Sequence, residues 1–516
     1  MPIFKSRERA FARALSESVF LNPFRREELS ARLAAAKDRV KAIGGIQESN
    51  ETPIPGRPDV EPLFAAANNV LGKIGERRYE PPVWDEEFFL LQDMILFVMY
   101  YSFRQDFQKT IEASEDAASG KSPAVDYFKS YETLWNQLWQ IEGLNRSPDY
   151  SCAHTFACLF QIRRAYFHID EFIWGESESS HSLRADIWDS IFTHDFRRYG
   201  LLLFDRMEKI PTLIAGPSGT GKELAARAIG LSRYIPFNAR RGRFEQRLDG
   251  AFHPVNIAAL SPTVIESELF GHSKGSFTGA TRDKKGWLET CPPGHSVFLD
   301  EIGELPPELQ VKLLRVVQNR EFTRVGDNTI RKFTGKLIVA TNRDLSEEIK
   351  TGRFRADLYY RLCADLIHTP ALTEVITGSR DRLRKLIQRI VAGITADRDA
   401  DAARITADAV EVIETSLPAD YSWPGNFREL EQCVWNAVIR KSYRPLQTRT
   451  LPQLSQLEQA ILSGEATAEE ILNLYCRRVY AKTGSYAATA RIVGLDQRTV
   501  KRRVHEAGSM YDRQDA

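Results

Sequence analysis

The sequence predicts a multi-domain α/β protein: a parallel sheet with helices on both faces, a mostly helical region before it and a helix-turn-helix after it. Three observations carry this. First, Gly216-Pro217-Ser218-Gly219-Thr220-Gly221-Lys222-Glu223 lies between an apolar run, Thr212–Ala215, and a helical one, Leu224–Ile229. Second, another apolar run, Val297-Phe298-Leu299, ends in Asp300-Glu301. Third, an alanine-rich stretch, Ser485–Val493, is followed by a Gly494-Leu495 turn and a basic stretch, Asp496–Ala507.

A strand, a glycine-rich turn and a helix start make a phosphate-binding loop, because backbone N–H groups and the helix dipole converge on an anion. Lys222 adds a full charge for the outer phosphates of a nucleotide. The general pattern ends in Ser or Thr, and here that position is Glu223. A parallel strand that delivers Asp300 and Glu301 at its carboxyl end is the second half of an ATP site. Asp300 suits the hydrated magnesium ion and Glu301 the attacking water.

The chain has 516 residues, enough for two to four domains of roughly 100–200 residues each. It is 43% hydrophobic and 27% charged, a globular composition. A formal net charge of +1 excludes a global field toward nucleic acid, so any DNA contact needs a local basic patch. Six scattered cysteines form no disulfide framework and fit a reducing cytosol. The N-terminus lacks a signal-peptide core, and Phe88–Phe103, broken by Gln92 and Asp93, is too short to span a bilayer.

Residues 1–185 carry no nameable motif. Helical patterns cover Arg26–Ile43, Glu86–Phe107, Ala124–Ile141 and Cys152–Trp174, with breaks at Gln47–Pro62, Glu115–Ser122 and Gly175–Ser182. Cys152, His154 and Cys158 match no common zinc spacing and read as buried structural residues. The nucleotide region opens near Asp189–Phe192, with a helix expected over Leu201–Met207. Arg240–Arg247 reads as a basic, polar insertion.

Farther on, Phe252–Leu260 reads as a strand leaving into a turn. Gly275-Ser276-Phe277-Thr278-Gly279-Ala280 reads as a mobile loop presenting Phe277. A strand, Lys336–Ala340, ends in Thr341-Asn342, polar groups suited to water or a γ-phosphate. Arg355 and Arg361 are six positions apart. Asn426 suits an N-cap, with Arg428 in the first turn of its helix. Asp496 suits another, and Gly508 a stop. Arg498, Thr499, Lys501, Arg502 and Arg503 make the last helix a candidate DNA reader.

From about Asp189 to Lys441 these motifs resemble, in order, those of bacterial enhancer-binding proteins, the AAA+ activators of sigma-54 RNA polymerase; the tail resembles their Fis-type helix-turn-helix. The resemblance implies a P-loop ATPase core with a helical lid, ATP and Mg2+ as cofactors, and Glu223 as a normal family residue. It implies that Asn256 holds Glu301 back until γ-phosphate is sensed, that Thr341-Asn342 is a first sensor and that Arg428 serves a second. Arg355 and Arg361 stand where the family has arginine fingers acting on a neighbour's ATP. Gly275–Ala280 matches the loop that touches the sigma factor, with Ser276 in place of the usual Ala. Thr369–Thr373 departs from a segment that the family keeps rich in proline and arginine.

The implied domains are 1–185, regulatory; 186–370, α/β ATPase; 371–443, helical lid; 444–466, linker; and 467–516, DNA-binding. The implied partners are sigma-54 holoenzyme, double-stranded upstream DNA, other copies of the chain from dimer to hexameric ring, and a regulator of the N-terminal region, in the cytoplasm and away from membranes. Two other readings of the residues are a AAA+ ATPase remodelling a different protein and a DNA-binding repressor with a relic ATPase fold.

Overall fold

The computed structural model describes residues 2–19, 21–43, 59–79, 85–115, 124–144, 150–248, 252–395, 399–418, 421–445 and 467–506. Most of the expected linker, the stop at Gly508 and most of the first two expected breaks lie outside these residues. The chain forms two compact units, Met1–Tyr443 and Arg444–Ala516.

The first unit is organised by five parallel strands: β1 (Thr212–Ala215), β2 (Phe252–Asn256), β3 (Ser296–Asp300), β4 (Lys336–Thr341) and β5 (Leu366–His368). Their order is β5-β1-β4-β3-β2. Successive side chains of a strand point to opposite faces, and here both faces are apolar. Ile214, Phe298, Ile338 and Ile367 belong to one core, whereas Leu213, Val297, Leu299, Leu337 and Val339 belong to another. That is why these strands read as unbroken hydrophobic runs.

The first of these cores takes in helix Lys222–Leu231 and the N-terminal helices, without a break near residue 185. The expected helices appear as Arg26–Ala42, Asp85–Glu115, Phe128–Trp139 and Cys152–Phe172, joined by Ser6–Val19 and Glu61–Gly75. Ser151 caps the helix at Cys152 by accepting from His154 N–H, and Ser177 caps Glu178–Phe192 by accepting from Ser180 N–H. Asp189–Phe192 therefore ends a helix of the N-terminal region instead of opening the nucleotide region. The helix expected over Leu201–Met207 is a π-helical turn at Tyr199–Leu203 and a short 3-10 turn at Met207–Lys209.

Arg240–Arg247 is more than a polar insertion. Phe237–Asn238 pairs with Arg243–Phe244, and this turn sends two buried rings into the N-terminal core. Phe237 lies 4.5 Å from Phe156 and Phe244 lies 4.5 Å from Phe160, centroid to centroid. Val125 N–H donates to Gly242 carbonyl across the same seam.

A third core, with Leu386, Val391, Ile413, Trp423, Leu430 and Val434, joins helices Arg380–Thr395, Asp399–Ser416 and Asn426–Arg440 into the expected lid. The second unit has three described helices, Ala468–Thr483, Tyr486–Val493 and Gln497–Glu506, with Cys476, Thr489 and Val500 buried. Gly494, at φ +74°, makes the left-handed turn between the last two.

Phe298 is 1% exposed at the middle of β3 and stacks on Phe252 at 5.5 Å. Phe298→Ala should lower stability by about 3–5 kcal/mol, read from the urea unfolding transition of the full chain. A loss below about 1 kcal/mol would mean that this face of the sheet is not the core.

Candidate functional site

The carboxyl ends of β1, β3 and β4 open onto one crevice. The phosphate loop, Gly216–Gly221, joins β1 to helix Lys222–Leu231. Two of its glycines are forced. At Gly216 a Cβ would stand 2.2 Å from Thr369 Oγ1, and at Gly219, φ +76°, one would stand 2.3 Å from the Gly425 carbonyl oxygen. Thr220 fixes the loop, donating to Pro217 carbonyl at 2.8 Å and meeting Thr369 Oγ1 at 2.7 Å.

Lys222 Nζ donates to the carbonyls of Gly216 and Pro217, both at 3.0 Å. Burial pulls its pKa down, Glu301 and Asp300 pull it back up, and the charge of Arg428 lowers it again. Lys222, Asp300, Glu301 and Arg428 thus share one electrostatic environment. Glu223 follows Lys222 in the helix's first turn, where a carboxylate suits the dipole.

Asp300 Oδ1 accepts from Glu301 N–H at 3.0 Å, and Glu301 has a left-handed backbone, φ +56°. A positive φ at a non-glycine residue needs support from its surroundings. Here Glu301 Oε2 accepts from Asn342 N–H at 3.3 Å, so the carboxylate turns toward the end of β4. Thr341 is buried; its carbonyl accepts from Gly216 N–H at 3.3 Å and its hydroxyl from Arg343 N–H at 3.0 Å. Asn342 is exposed at the crevice.

The expected hold of Asn256 on Glu301 is not formed. Asn256 stands beside Asp300 in the β2–β3 register, but its side-chain oxygen accepts from Ala259 N–H at 3.2 Å and caps the turn Ile257–Ala259. The oxygen orients the side chain on the local turn, and the Nδ2 group, which alone could donate to a carboxylate, makes no bond to Glu301.

The lid begins on the phosphate loop. Phe427 N–H donates to Gly219 carbonyl at 3.0 Å, and Asn426 Nδ2 donates to Ser218 carbonyl at 2.9 Å. Asn426 is not the N-cap: Gly425 is, and Asn426, at φ +52°, instead uses its side-chain oxygen to accept from Leu372 N–H at 2.8 Å. It therefore bridges the loop, the start of the lid and Leu372 in the segment after β5. Arg428, exposed, stands over Gly219, where an added Cβ would come within 3.3 Å of Arg428 Cβ.

Arg355 is the N-cap residue of the short helix Ala356–Leu362, and Arg361 lies in its last turn. Arg355 N–H donates to Gln310 Oε1, and its guanidinium holds Asp357 at 3.0 and 2.7 Å. Arg361 is exposed, and among the described residues neither side chain bonds to the phosphate loop of its own chain.

Gly275–Ala280 is the tip of an antiparallel pair, Gly271–His272 with Lys284–Lys285. Gly275 N–H donates to Ala280 carbonyl and Ala280 N–H to Phe277 carbonyl, at 2.8 and 3.0 Å. Phe277 is half-buried, edge-on to His272 at 4.9 Å, while Thr278 and Gly279 are exposed. The His272 ring meets Ser267 Oγ at 2.7 Å. Ser276 Oγ is buried without a partner beside Gly326.

In the second unit, Asp496 caps the last helix as expected, accepting from the N–H groups of Arg498 and Thr499 and from the Thr499 hydroxyl. Arg498, Lys501 and Arg502 are exposed. Arg503 is not on that face: it is 16% exposed and donates to Asn473 Oδ1 at 2.8 Å, so it ties the last helix to Ala468–Thr483. Thr499 is committed to Asp496.

His154 meets Tyr234 Oη at 2.7 Å and Gly200 carbonyl at 2.9 Å, with Cys158 Sγ at 3.5 Å. Burial pushes the Cys152 thiol up to about 12 and Cys158 higher still. Among the described residues no group of three or more His, Cys, Asp or Glu side chains could hold a metal ion. Both cysteines are on the helix, Cys158 buried and Cys152 only half-buried. Thr369, Gln310 and the bridging role of Asn426 went unforeseen; the clash at Gly216 that explains Thr369 is three-dimensional and leaves no mark in the local sequence.

Gly219→Ala should push the lid off the loop. Hydrogen exchange at the Phe427 amide should then rise by at least about fivefold, since one broken hydrogen bond is worth about 1 kcal/mol or more. Unchanged exchange there would mean that the loop does not hold the lid.

Residues 204–368 match the sigma-54 interaction domain. Regulatory protein AtoC of Escherichia coli (strain K12) is 35% identical over 316 residues, 58% of this chain and 63% of that protein. A Nif-specific regulatory protein of Herbaspirillum seropedicae is 44% identical over 222 residues, 43% of this chain and 37% of its own. Transcriptional regulatory protein ZraR of Escherichia coli (strain K12) is 42% identical over 240 residues, 46% and 49% of the two chains. The chain thus spans less than two thirds of the length of these relatives. The carboxyl ends of β1, β3 and β4 all lie within the segment that matches the sigma-54 interaction domain, and it is in this part that the chain is similar to these regulatory proteins.

Proposed function

We propose that this chain is an ATP-driven transcription activator that acts on sigma-54 RNA polymerase from upstream DNA. The observation that carries the reading is one compact unit holding both parts: a crevice with Lys222, Asp300, Glu301 and Arg428, and a separate loop, Gly275–Ala280, with Thr278 and Gly279 exposed.

ATP is the substrate. Gly216–Gly221 would cradle its phosphates, with Lys222 exchanging two carbonyl oxygens for phosphate oxygens. Mg2+ fits the donor set, because Asp300 presents a carboxylate to the same field as Lys222, and the ion would supply charge neutralisation. Glu301 would orient and polarise water. Its contact with Asn342 N–H gives it a resting position beside the sensor, and Thr341-Asn342 would report the γ-phosphate through β4. Arg428 would carry that report to the lid, because it sits in the first turn of a lid helix and over the loop.

Arg355 and Arg361 lie away from their own loop, which suits fingers for a neighbour's crevice, and hence a ring. An arginine finger is worth about 10³–10⁵ in rate. The bonds that close Gly275–Ala280 into a compact tip would let it move as a body against sigma-54. Arg498, Lys501 and Arg502 would reach upstream DNA, with Arg503 and Thr499 holding the helix in place.

Lys222→Ala should abolish ATP binding measured by calorimetry, and Phe277→Ala should keep ATP turnover but lose open-complex formation at a sigma-54 promoter. Full activation by Phe277→Ala would overturn the loop's assignment. Arg361→Ala should bind ATP normally and lower turnover of the assembled protein by about 10³-fold or more. An undiminished rate would remove it as a finger.

A further inference from the structure

We infer that Glu429 is a positioning residue for ATP turnover: it fixes the turn 423–426 and so sets Arg428 over the phosphate loop. This role rests on the reading of Arg428 as a residue of the crevice. The turn is strained. Trp423 and Asn426 have left-handed backbones, at φ +47° and +52°. Residues other than glycine keep that conformation only where their surroundings over-determine it.

The same turn touches the loop. The Gly425 carbonyl oxygen stands where a Cβ on Gly219 would come within 2.3 Å, and Asn426 Nδ2 donates to Ser218 carbonyl. Glu429 keeps the turn in place from one helical turn farther on. It is 7% exposed, so its carboxylate depends on protein donors instead of water. Oε2 accepts from Gly425 N–H at 2.8 Å, and Glu429 N–H donates to Gly425 carbonyl at 3.2 Å. Side chain and backbone thus grip one residue from both sides. A Cβ on Gly425 would come within 2.7 Å of Glu429 Cβ, which is why the gripped residue is a glycine.

The other carboxylate oxygen anchors the grip. Oε1 accepts from the Tyr421 hydroxyl at 2.5 Å and from the Tyr443 hydroxyl at 3.0 Å. Burial, and then the carboxylate itself, push both phenols up, so each stays a donor. Tyr421 precedes the turn, and its ring lies edge-on to Trp423 at 5.3 Å. Tyr443 follows helix Asn426–Arg440 and is the last residue of the first unit. One carboxylate therefore ties together the segment before the turn, the turn itself and the chain's exit from the lid. Bonds to a charged acceptor are stronger than neutral ones, which suits a strained turn. The partners of Glu429 are residues of the lid, so it acts through Arg428 and not on the nucleotide.

The test is steady-state ATP turnover by the full chain, well below its melting temperature. Glu429→Gln keeps the size but offers one acceptor oxygen and an N–H₂ group where three donors wait. It should lower kcat at least about fivefold, because turnover follows the fraction of chains whose turn is in place. Arg428→Ala should lower kcat as well. Adding Glu429→Gln to Arg428→Ala should cost no more than about twofold further, since the holder then has nothing to hold. A general loss of folded protein would instead multiply through both backgrounds. Where Glu429→Gln does not fold, Tyr421→Phe with Tyr443→Phe carries the test: at least about threefold lower kcat in the parent chain, and no comparable loss beside Arg428→Ala. Parent-like kcat in the folded variant, or losses that multiply fully beside Arg428→Ala, overturn the role of Glu429. A parent-like rate for Arg428→Ala itself overturns the reading of Arg428 and this role with it, whereas a slow Arg428→Ala beside a normal Glu429→Gln overturns this role alone.

Discussion

The grip of the phosphate loop on the lid is the constraint on which the rest depends. Gly219 carbonyl accepts from Phe427 N–H and Ser218 carbonyl from Asn426 Nδ2. A phosphate-binding turn has N–H groups to aim at an anion and carbonyls that must point away from it. Those carbonyls need partners. Here the lid supplies two and Lys222 supplies two more, at Gly216 and Pro217. The loop's shape and the lid's position are therefore one problem. A phosphate that recruits Lys222 releases two carbonyls, and the lid is the element already bonded to the other two.

The N-terminal helices enter this arrangement from two directions. Phe237 and Phe244 pin the segment after helix Lys222–Leu231 into the aromatic core around Phe156. At the other end, Glu171 and Glu176 pair with Arg389 and Lys385 of the lid, each at 2.7 Å, and Arg389 lies 5.8 Å from the Trp174 ring. The ion pairs are exposed and each is worth about 1 kcal/mol or less. Ser179 adds a hydrogen bond to Glu374 carbonyl, and Gly175 approaches so closely that an added Cβ would meet Val375 at 2.8 Å. The cost of breaking the brace is low, and the N-terminal region touches the lid without passing through the crevice. Such contacts suit an element that opens and closes.

The sheet, the phosphate loop, the acidic pair and the four long N-terminal helices were legible because each is a local pattern. Apolar runs that end in Asp300 or Thr341 say strand and strand end, and 3.6-residue spacing says helix. What failed to show was what depends on distant partners. Asn426 looks like a cap beside glycine, yet its backbone is left-handed and its side chain spans from Leu372 to Ser218. Asn256 looks free to reach Glu301, yet its side chain is anchored through its oxygen to a turn three residues on, and its Nδ2 group does not meet the carboxylate. Arg503 looks like its basic neighbours, but helical phase turns it toward Asn473. Arg240–Arg247 looks polar because its two anchoring rings, Phe237 and Phe244, are outnumbered by charges.

On the proposed reading, the crevice sets two cations against two carboxylates before any magnesium ion is counted. Within one chain, Lys222 and Arg428 face the phosphate position, opposed by Asp300 and Glu301. A transferring phosphoryl group spreads negative charge over its oxygens, and one Lys and one Arg against two carboxylates would leave its compensation to the magnesium ion and to further arginines. The candidate arginines make no bond to the phosphate loop of their own chain among the described residues. Asp357 pairs with the Arg355 guanidinium, and Gln310, which accepts from Arg355 N–H, donates to the Leu305 and Arg353 carbonyls at 2.7 and 2.9 Å. Gln310 is fully buried, so the finger helix is a rigid mount. On the proposed reading, a mount held this firmly suits an arginine that must meet a neighbour's nucleotide at a fixed place, because a side chain whose backbone is already fixed loses less freedom when it binds.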